Sequence, residues 1–170
     1  MTLKKSMKKL ILVRHAKADS KNPYPSDFDR PLNERGKNDA PLMGKLLKQN
    51  YPSVHHFLSS PALRAKTTAE IFALEYGFEP ANIDFDRSLY LASPKEILGA
   101  LSLLDNSINS VALFGHNPGI TDLANHLGKK FIMNMPTASF AVINIETDKW
   151  SKIEHSHSLL EHFDFPKSHK

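Results

Sequence analysis

Leu10-Ile11-Leu12-Val13, closed at once by Arg14-His15, decides how the rest of this chain is read. A short aliphatic run bounded by charge reads as a buried strand. The basic stretch before it, Lys4-Lys5-Ser6-Met7-Lys8-Lys9, has the look of a secretion signal's charged start. The apolar run is far shorter than the roughly 7–15 residues of a signal core, however, and it stops at Arg14. The expectation is a strand in a cytoplasmic protein. No apolar run approaches the roughly 20 residues that span a bilayer.

Outward from that strand, helices and strands alternate. Asp19 to Asn33 carries Pro23, Pro25 and Pro31 among Asp, Asn and Ser, which marks a long loop and a candidate lid. Leu42, Met43, Leu46 and Leu47 recur at helical spacing, giving a helix from about Glu34 to Gln49. Val54 to Leu58 is a second strand. Ser60-Pro61 then reads as a capped helix start, and the helix ends at Gly77. Ile83 to Tyr90 holds a short extended segment, and Ser93-Pro94 starts a helix through Leu104. Ser110 to Phe114 is a third strong strand, after which Asn117-Pro118 opens the helix Gly119 to Leu127. Ser139 to Glu146 and Trp150 to His155 read as two strands joined at Thr147-Asp148. This order predicts a three-layer α/β/α sandwich with a mostly parallel sheet and an antiparallel strand near the C-terminus. It is drawn as one domain over residues 7–165.

Composition narrows the chemistry. The 170 residues are 41% hydrophobic and 24% charged, ordinary for a soluble domain with a real core. There is no cysteine, which excludes a thiolate nucleophile and with it a cysteine-dependent phosphatase. The formal charge is +4, and six basic groups precede the first acid, Asp19. An anionic small ligand or a phosphorylated protein fits that modest excess at least as well as nucleic acid, since no aromatic residues interleave with the basic ones.

In open α/β sheets, ligands bind outside the carboxyl ends of the strands. Arg14-His15 follow the first strand. Ser59-Ser60-Pro61 follow the second, with Arg64 one turn into the helix, and Gly115-His116-Asn117 follow the third. Parallel strands would bring two histidines and two arginines to one rim. Arginine presents a planar fork suited to phosphate oxygens, and a histidine that titrates near neutrality can attack while another donates. Gly115 is read as permitting close backbone approach to a ligand.

Four blocks now carry a resemblance. Leu12-Val13-Arg14-His15-Ala16-Lys17-Ala18, Asp29 to Gly36, Ser59 to Ala65 and Gly115 to Gly119 occur in the order seen in the histidine phosphatase superfamily, the phosphoglycerate-mutase-like fold. The chain resembles most the small SixA-type phosphohistidine phosphatase branch. The resemblance implies that His15 is a nucleophile that becomes transiently phosphorylated, with Arg14, Arg64 and His116 as the phosphate pocket. It implies no metal and no cofactor, because the arginines supply the positive charge. A backbone carbonyl near residue 16 is expected to hold the proton of the other ring nitrogen.

The departures from the family pattern are specific. Larger members carry a glutamate in the segment that here reads Ser88-Leu89-Tyr90-Leu91-Ala92-Ser93, with no carboxylate until Glu96. An alkoxide leaving group needs protonation as it departs, whereas an imidazole is less demanding. Phosphohistidine, or another labile P–N bond, is therefore favoured over sugar phosphates and phosphoglycerate, unless Asp19 or Asp29 replaces the missing acid. Ala18 stands where a hydroxyl is frequent, and Lys17 is either a compensating phosphate contact or a plain surface lysine. Arg30 either reaches substrate or, the favoured reading, pairs with Asp27 or Asp29. Asn117 has two readings, phosphate contact and helix cap. His126 is read as an i,i+4 partner of Asp122, His162 and His169 as members of a polar tail, and Trp150 as a packing residue. The protein is expected to be a monomer acting on a phosphorylated protein or a small phosphorylated substrate. A small-molecule phosphomonoesterase and a non-catalytic phosphate-binding module are the alternatives.

Overall fold

The computed structural model describes residues 4–170. Strand β1 (Lys8–Arg14) lies inside a six-stranded sheet with β2 (His56–Ser59), β3 (Asp84–Phe85), β4 (Ser110–Gly115), β5 (Phe140–Ile145) and β6 (Ser158–Asp164), in the order β3-β2-β4-β1-β5-β6. The pairs β1–β4, β2–β4 and β2–β3 are parallel; β5 runs against both β1 and β6. The mostly parallel sheet and its antiparallel strand are as the sequence predicts.

Helices cover both faces, which is why β1 is apolar at every central position. Leu10 and Leu12 pack with Ile97 and Leu101 of α3 (Pro94–Ser102) and Ile120 and Leu123 of α4 (Gly119–Gly128). Their neighbours Ile11 and Val13 point the other way, against Met43 and Leu47 of α1 (Glu34–Asn50) and Phe72 of α2 (Leu63–Tyr76). Phe114 anchors that second face: its ring stacks on Phe57 and meets Phe72 edge-on. Each such fully buried side chain contributes roughly 1.5–3 kcal/mol. Among the described residues, no helix is long and apolar enough to cross a membrane.

The C-terminal part differs from expectation. Trp150–His155 is a 3₁₀ helix and the last strand lies further on, at Ser158–Asp164. Trp150 and Ile153, three residues apart, are both buried, and the indole donates to the carbonyl of Ile108 at 2.9 Å. Spacing of three puts both side chains on one side of a tight turn, whereas a strand would have separated them. Trp150 is a packing residue as read, on a different element. His162 belongs to β6 and packs against Phe140 and Tyr51, so it is not part of a polar tail. His126 stands 4.0 Å from Glu154, with Asp122 not its partner.

Two glycines set the spacing of the loops that reach the sheet's carboxyl edge. A Cβ on Gly36 would stand 2.2 Å from the Lys17 carbonyl oxygen, and one on Gly119 would stand 1.8 Å from that of Ala92. The segment after β1 is thus pressed onto α1, and the segment before α3 onto the start of α4. The Asn33 side chain caps α1 by accepting from the Gly36 amide.

Candidate active site

Parallel pairing places Arg14 level with Gly115, and Ser59 level with Phe114, so β1, β2 and β4 end together. The His15 amide donates to the Gly115 carbonyl at 3.1 Å. The Ala138 amide bridges the carbonyls of Arg14 and His15, each at 3.1 Å. Beyond these ends opens a cavity of about 350 Å³ lined by Arg14, His15, Lys17, Arg30, Arg64, His116 and Asn117. All seven residues singled out in the sequence therefore meet at one place. A larger cleft, about 540 Å³, runs alongside between the 19–24 segment and the starts of α1 and α2, and its lining contains no imidazole.

His15 is 8% exposed. Its Nδ1 lies 2.7 Å from the Ala16 carbonyl oxygen, which can only accept, so Nδ1 carries the proton and donates. Nε2 is left with its lone pair, facing the Arg64 Nε–H at 3.3 Å. Burial, reinforced by the neighbouring His116, Arg64 and Arg14, pushes the His15 pKa down to about 3, against the opposing pull of the Ala16 carbonyl. Burial is also the main reason that His116 falls to about 4, with Arg64 adding to it and Asp27 opposing it. Both rings are neutral at physiological pH, with centroids 5.2 Å apart. A buried neutral imidazole with a fixed tautomer and cations around it is a nucleophile suited to an anionic electrophile.

Several residues that hold this geometry escaped the sequence reading. The Ser60 hydroxyl lies 2.8 Å from His116 Nε2 and also accepts from the Ala62 amide. It can donate to Nε2, an arrangement that puts the ring proton on His116 Nδ1, a buried nitrogen with no partner among the described residues. The expected capping role of Ser60 is not seen: α2 begins at Leu63 without a side-chain cap, and the hydroxyl serves His116. Thr68, one turn beyond Arg64, accepts from the Ala16 amide and donates to the Arg64 carbonyl, tying the end of β1 to α2. Only contacts between distant segments identify these roles, since serine and threonine in such positions carry no distinguishing local pattern.

Asp27, expected only as a partner of Arg30, also holds Arg64. One of its carboxylate oxygens accepts from Arg64 Nη2 at 2.9 Å and from the Tyr90 hydroxyl at 2.6 Å, and its backbone carbonyl accepts from Arg64 Nη1. The other oxygen takes Arg30, so Arg30 pairs with Asp27 as favoured. The Tyr90 hydrogen bond, with help from Arg64 and Arg30, holds the Asp27 carboxyl down to about 2. The loop from Asp19 to Asn33 thus reaches over the pocket and places a carboxylate on its central arginine. Tyr90 occupies the segment in which larger members of the resembled family carry a glutamate; Glu96 completes a capping box on α3 with Ser93.

Other expectations are corrected. Asp19 faces the neighbouring cleft, where Tyr24, the Lys21 amide and Asn22 hold it to about 2, and Asp29 accepts from Ser26; neither lines the pocket. Gly115 is not among the residues that line the pocket, and a Cβ there would meet Ile120 and Leu113. Asn117 does not cap α4; its amide bonds Thr121, Asn134 and the Met135 carbonyl. Arg14 donates Nη1 to that same carbonyl at 2.7 Å, and its buried Nε has no partner among the described residues.

Residues 10–89 match the model of a known family, described as the histidine phosphatase superfamily (branch 1). An uncharacterised protein of Mycobacterium leprae is 26% identical over 167 residues, covering 91% of this chain and all of its own. A solved structure of the protein histidine phosphatase SixA complexed with tungstate superimposes with a TM-score of 0.79 at 22% identity, over 95% of this chain and 99% of that one. A candidate phosphohistidine phosphatase SixA from Agrobacterium tumefaciens gives a TM-score of 0.76 at 26% identity, over 94% and 98% of the two chains.

Proposed function

This chain belongs to the histidine phosphatase superfamily, and from that membership we propose that it is a metal-independent phosphatase that transfers a phosphoryl group from phosphohistidine in a protein to His15 and then to water. The observation that carries this reading is the state of His15: neutral, Nδ1–H held by the Ala16 carbonyl, and Nε2 presented to Arg64. Phosphoryl transfer passes through a loose transition state, so positioning and charge stabilisation supply most of the catalysis.

Nε2 of His15 attacks phosphorus in line as the bond to the substrate's ring nitrogen breaks. The leaving imidazole, protonated on its other nitrogen, departs neutral. Water then attacks the phosphorylated His15, phosphate leaves, and the electron pair returns to Nε2. Arg14 and Arg64 balance the phosphoryl charge, and His116 Nδ1–H donates to a phosphoryl oxygen. For Arg64 to turn its fork to the phosphoryl group, its two Nη groups must let go of Asp27.

The ionisation of Asp27 bears on the substrate. A carboxyl held at about 2 has no proton to give near neutral pH, and Asp19 and Asp29 lie outside the pocket. A pocket without a ready acid suits a P–N bond better than an alkyl phosphate. The deciding measurement is phosphate release from a phosphohistidine peptide, with and without chelator, by wild type and His15→Ala. Release by wild type alone, indifferent to chelator, is expected. No release would refute the enzyme reading and leave a binding module; chelator-sensitive release would refute the metal-independent mechanism. Equal cleavage of alkyl phosphates would favour a small-molecule phosphomonoesterase.

A further inference from the structure

The segment from Asp19 to Asn33 is fixed at its base and lightly held elsewhere. Ala18 and Leu32 pair as an antiparallel bridge, and both are buried. The Asp19 amide donates to the Pro31 carbonyl at 2.8 Å and the Asn33 amide to the Lys17 carbonyl at 2.9 Å, which closes the neck. Between these ends every residue from Ser20 to Pro31 is exposed or half-exposed. A loop with its ends together and no share in the core can open without disturbing the rest of the fold. It also holds its own shape. The Asp19 carboxylate gathers Tyr24, Asn22 and the Lys21 amide, and Arg30 joins the Asp19 carbonyl to the Asp27 carboxylate. The 19–24 stretch borders the cleft of about 540 Å³, which leaves the loop room to move.

A small set of contacts around the 3₁₀ turn Asp27–Asp29 keeps the tip down. Asp27 takes both Arg64 Nη groups and the Tyr90 hydroxyl. The Phe28 ring meets Tyr90 edge-on with centroids 5.1 Å apart, and the Arg87 guanidinium lies 4.8 Å from the Phe28 centroid. Tyr90 is a fixed post: its amide bonds the Arg87 carbonyl, and its ring lies edge-on to His116 at 5.5 Å. The Asp27 side chain is 45% exposed, whereas that of Arg64 is only 3% exposed. A half-exposed carboxylate is a weak hold on a guanidinium. A phosphoryl group brings more charge and three acceptor oxygens to the same partner, so it competes well.

We propose that residues 20–31 form a lid, shut on the catalytic pocket by Asp27 and latched by Phe28 against Tyr90 and Arg87, and that a phosphoryl anion opens it by claiming Arg64. The inference rests on the phosphate site proposed above and assigns its regulation: the chain's own carboxylate occupies the pocket until an anion that binds Arg64 better arrives. The latch then sets how much of the protein is open beforehand, and with it the apparent affinity for phosphate.

The test needs no turnover. Lys21 is the one trypsin site between Ser20 and Pro31, because Arg30 is followed by proline. Saturating inorganic phosphate should speed cleavage after Lys21 about threefold, since proteolysis follows the open population. Tyr90→Phe loses the hydroxyl on Asp27, and Phe28→Ala loses the ring contacts. Each should bind inorganic phosphate about threefold more tightly by calorimetry and be cut faster at Lys21 without phosphate. Both side chains are half-buried, so the melting temperature should hold. Protection of Lys21 by phosphate in wild type would overturn the lid and leave the phosphate site standing. Unchanged phosphate affinity in both variants would overturn the latch, and weaker binding by Tyr90→Phe would overturn it by giving the hydroxyl to phosphate. No phosphate binding by wild type would remove both the lid and the site. A chain whose lid opens but which releases no phosphate from phosphohistidine would fail the phosphatase reading alone.

Discussion

Acid should unfold this protein through His15. An unfolded histidine titrates near 6.5, whereas burial holds the folded ring to about 3. Between those values the unfolded chain takes up a proton that the folded chain refuses, so stability falls as pH falls. At about pH 5, one and a half units below the unfolded value, the loss at about 1.4 kcal/mol per unit is about 2 kcal/mol. His116, held to about 4, loses stability with the same sign, and because the rings are neighbours the two losses are coupled. The assay is urea unfolding of wild type and His15→Ala at about pH 7.5 and about pH 5. The variant's stability at either pH will differ from wild type for packing reasons, but that offset cancels in the difference between pH values. The expected result is that His15→Ala loses about 2 kcal/mol less than wild type on acidification. Identical pH dependence in the two proteins would show that folded His15 titrates like an exposed histidine, and the neutral buried nucleophile would have to be abandoned.

Two further substitutions address the supporting groups. Ser60→Ala removes the hydroxyl on His116 Nε2 and frees its tautomer, so kcat should fall about tenfold with KM little changed; unchanged kcat would deny the serine a positioning role. Asp27→Asn removes a negative charge from the phosphate pocket and weakens the hold on Arg64, so inhibition by inorganic phosphate should tighten about tenfold, and unaltered or weaker inhibition would contradict the competition proposed between carboxylate and phosphoryl group.

The two ends of the chain were unequally legible. β1 could be read because Leu10 to Val13 are apolar without alternation, the mark of a strand covered on both faces. The Ser93 capping box and the Asn33 end of α1 are local devices, written in adjacent residues. The C-terminal strand was misplaced because Trp150 and Ile153 are apolar at a spacing that fits a tight turn, while β6 mixes polar and apolar residues at the sheet edge.

The sequence by itself determined the chemical identities: two histidines and two arginines placed after the strong strands of an alternating α/β chain, with no cysteine to compete. That much follows because strand ends are local, and a parallel sheet brings the carboxyl ends to one rim. What the tertiary structure alone decided is the state of those groups. His15 is neutral because other segments bury it, Arg64 is engaged because a loop 37 residues earlier lays Asp27 on it, and His116 is held by a serine 56 residues away. Protonation and orientation depend on desolvation and on hydrogen bonds between distant segments, and neither is encoded in the neighbours of the residue concerned.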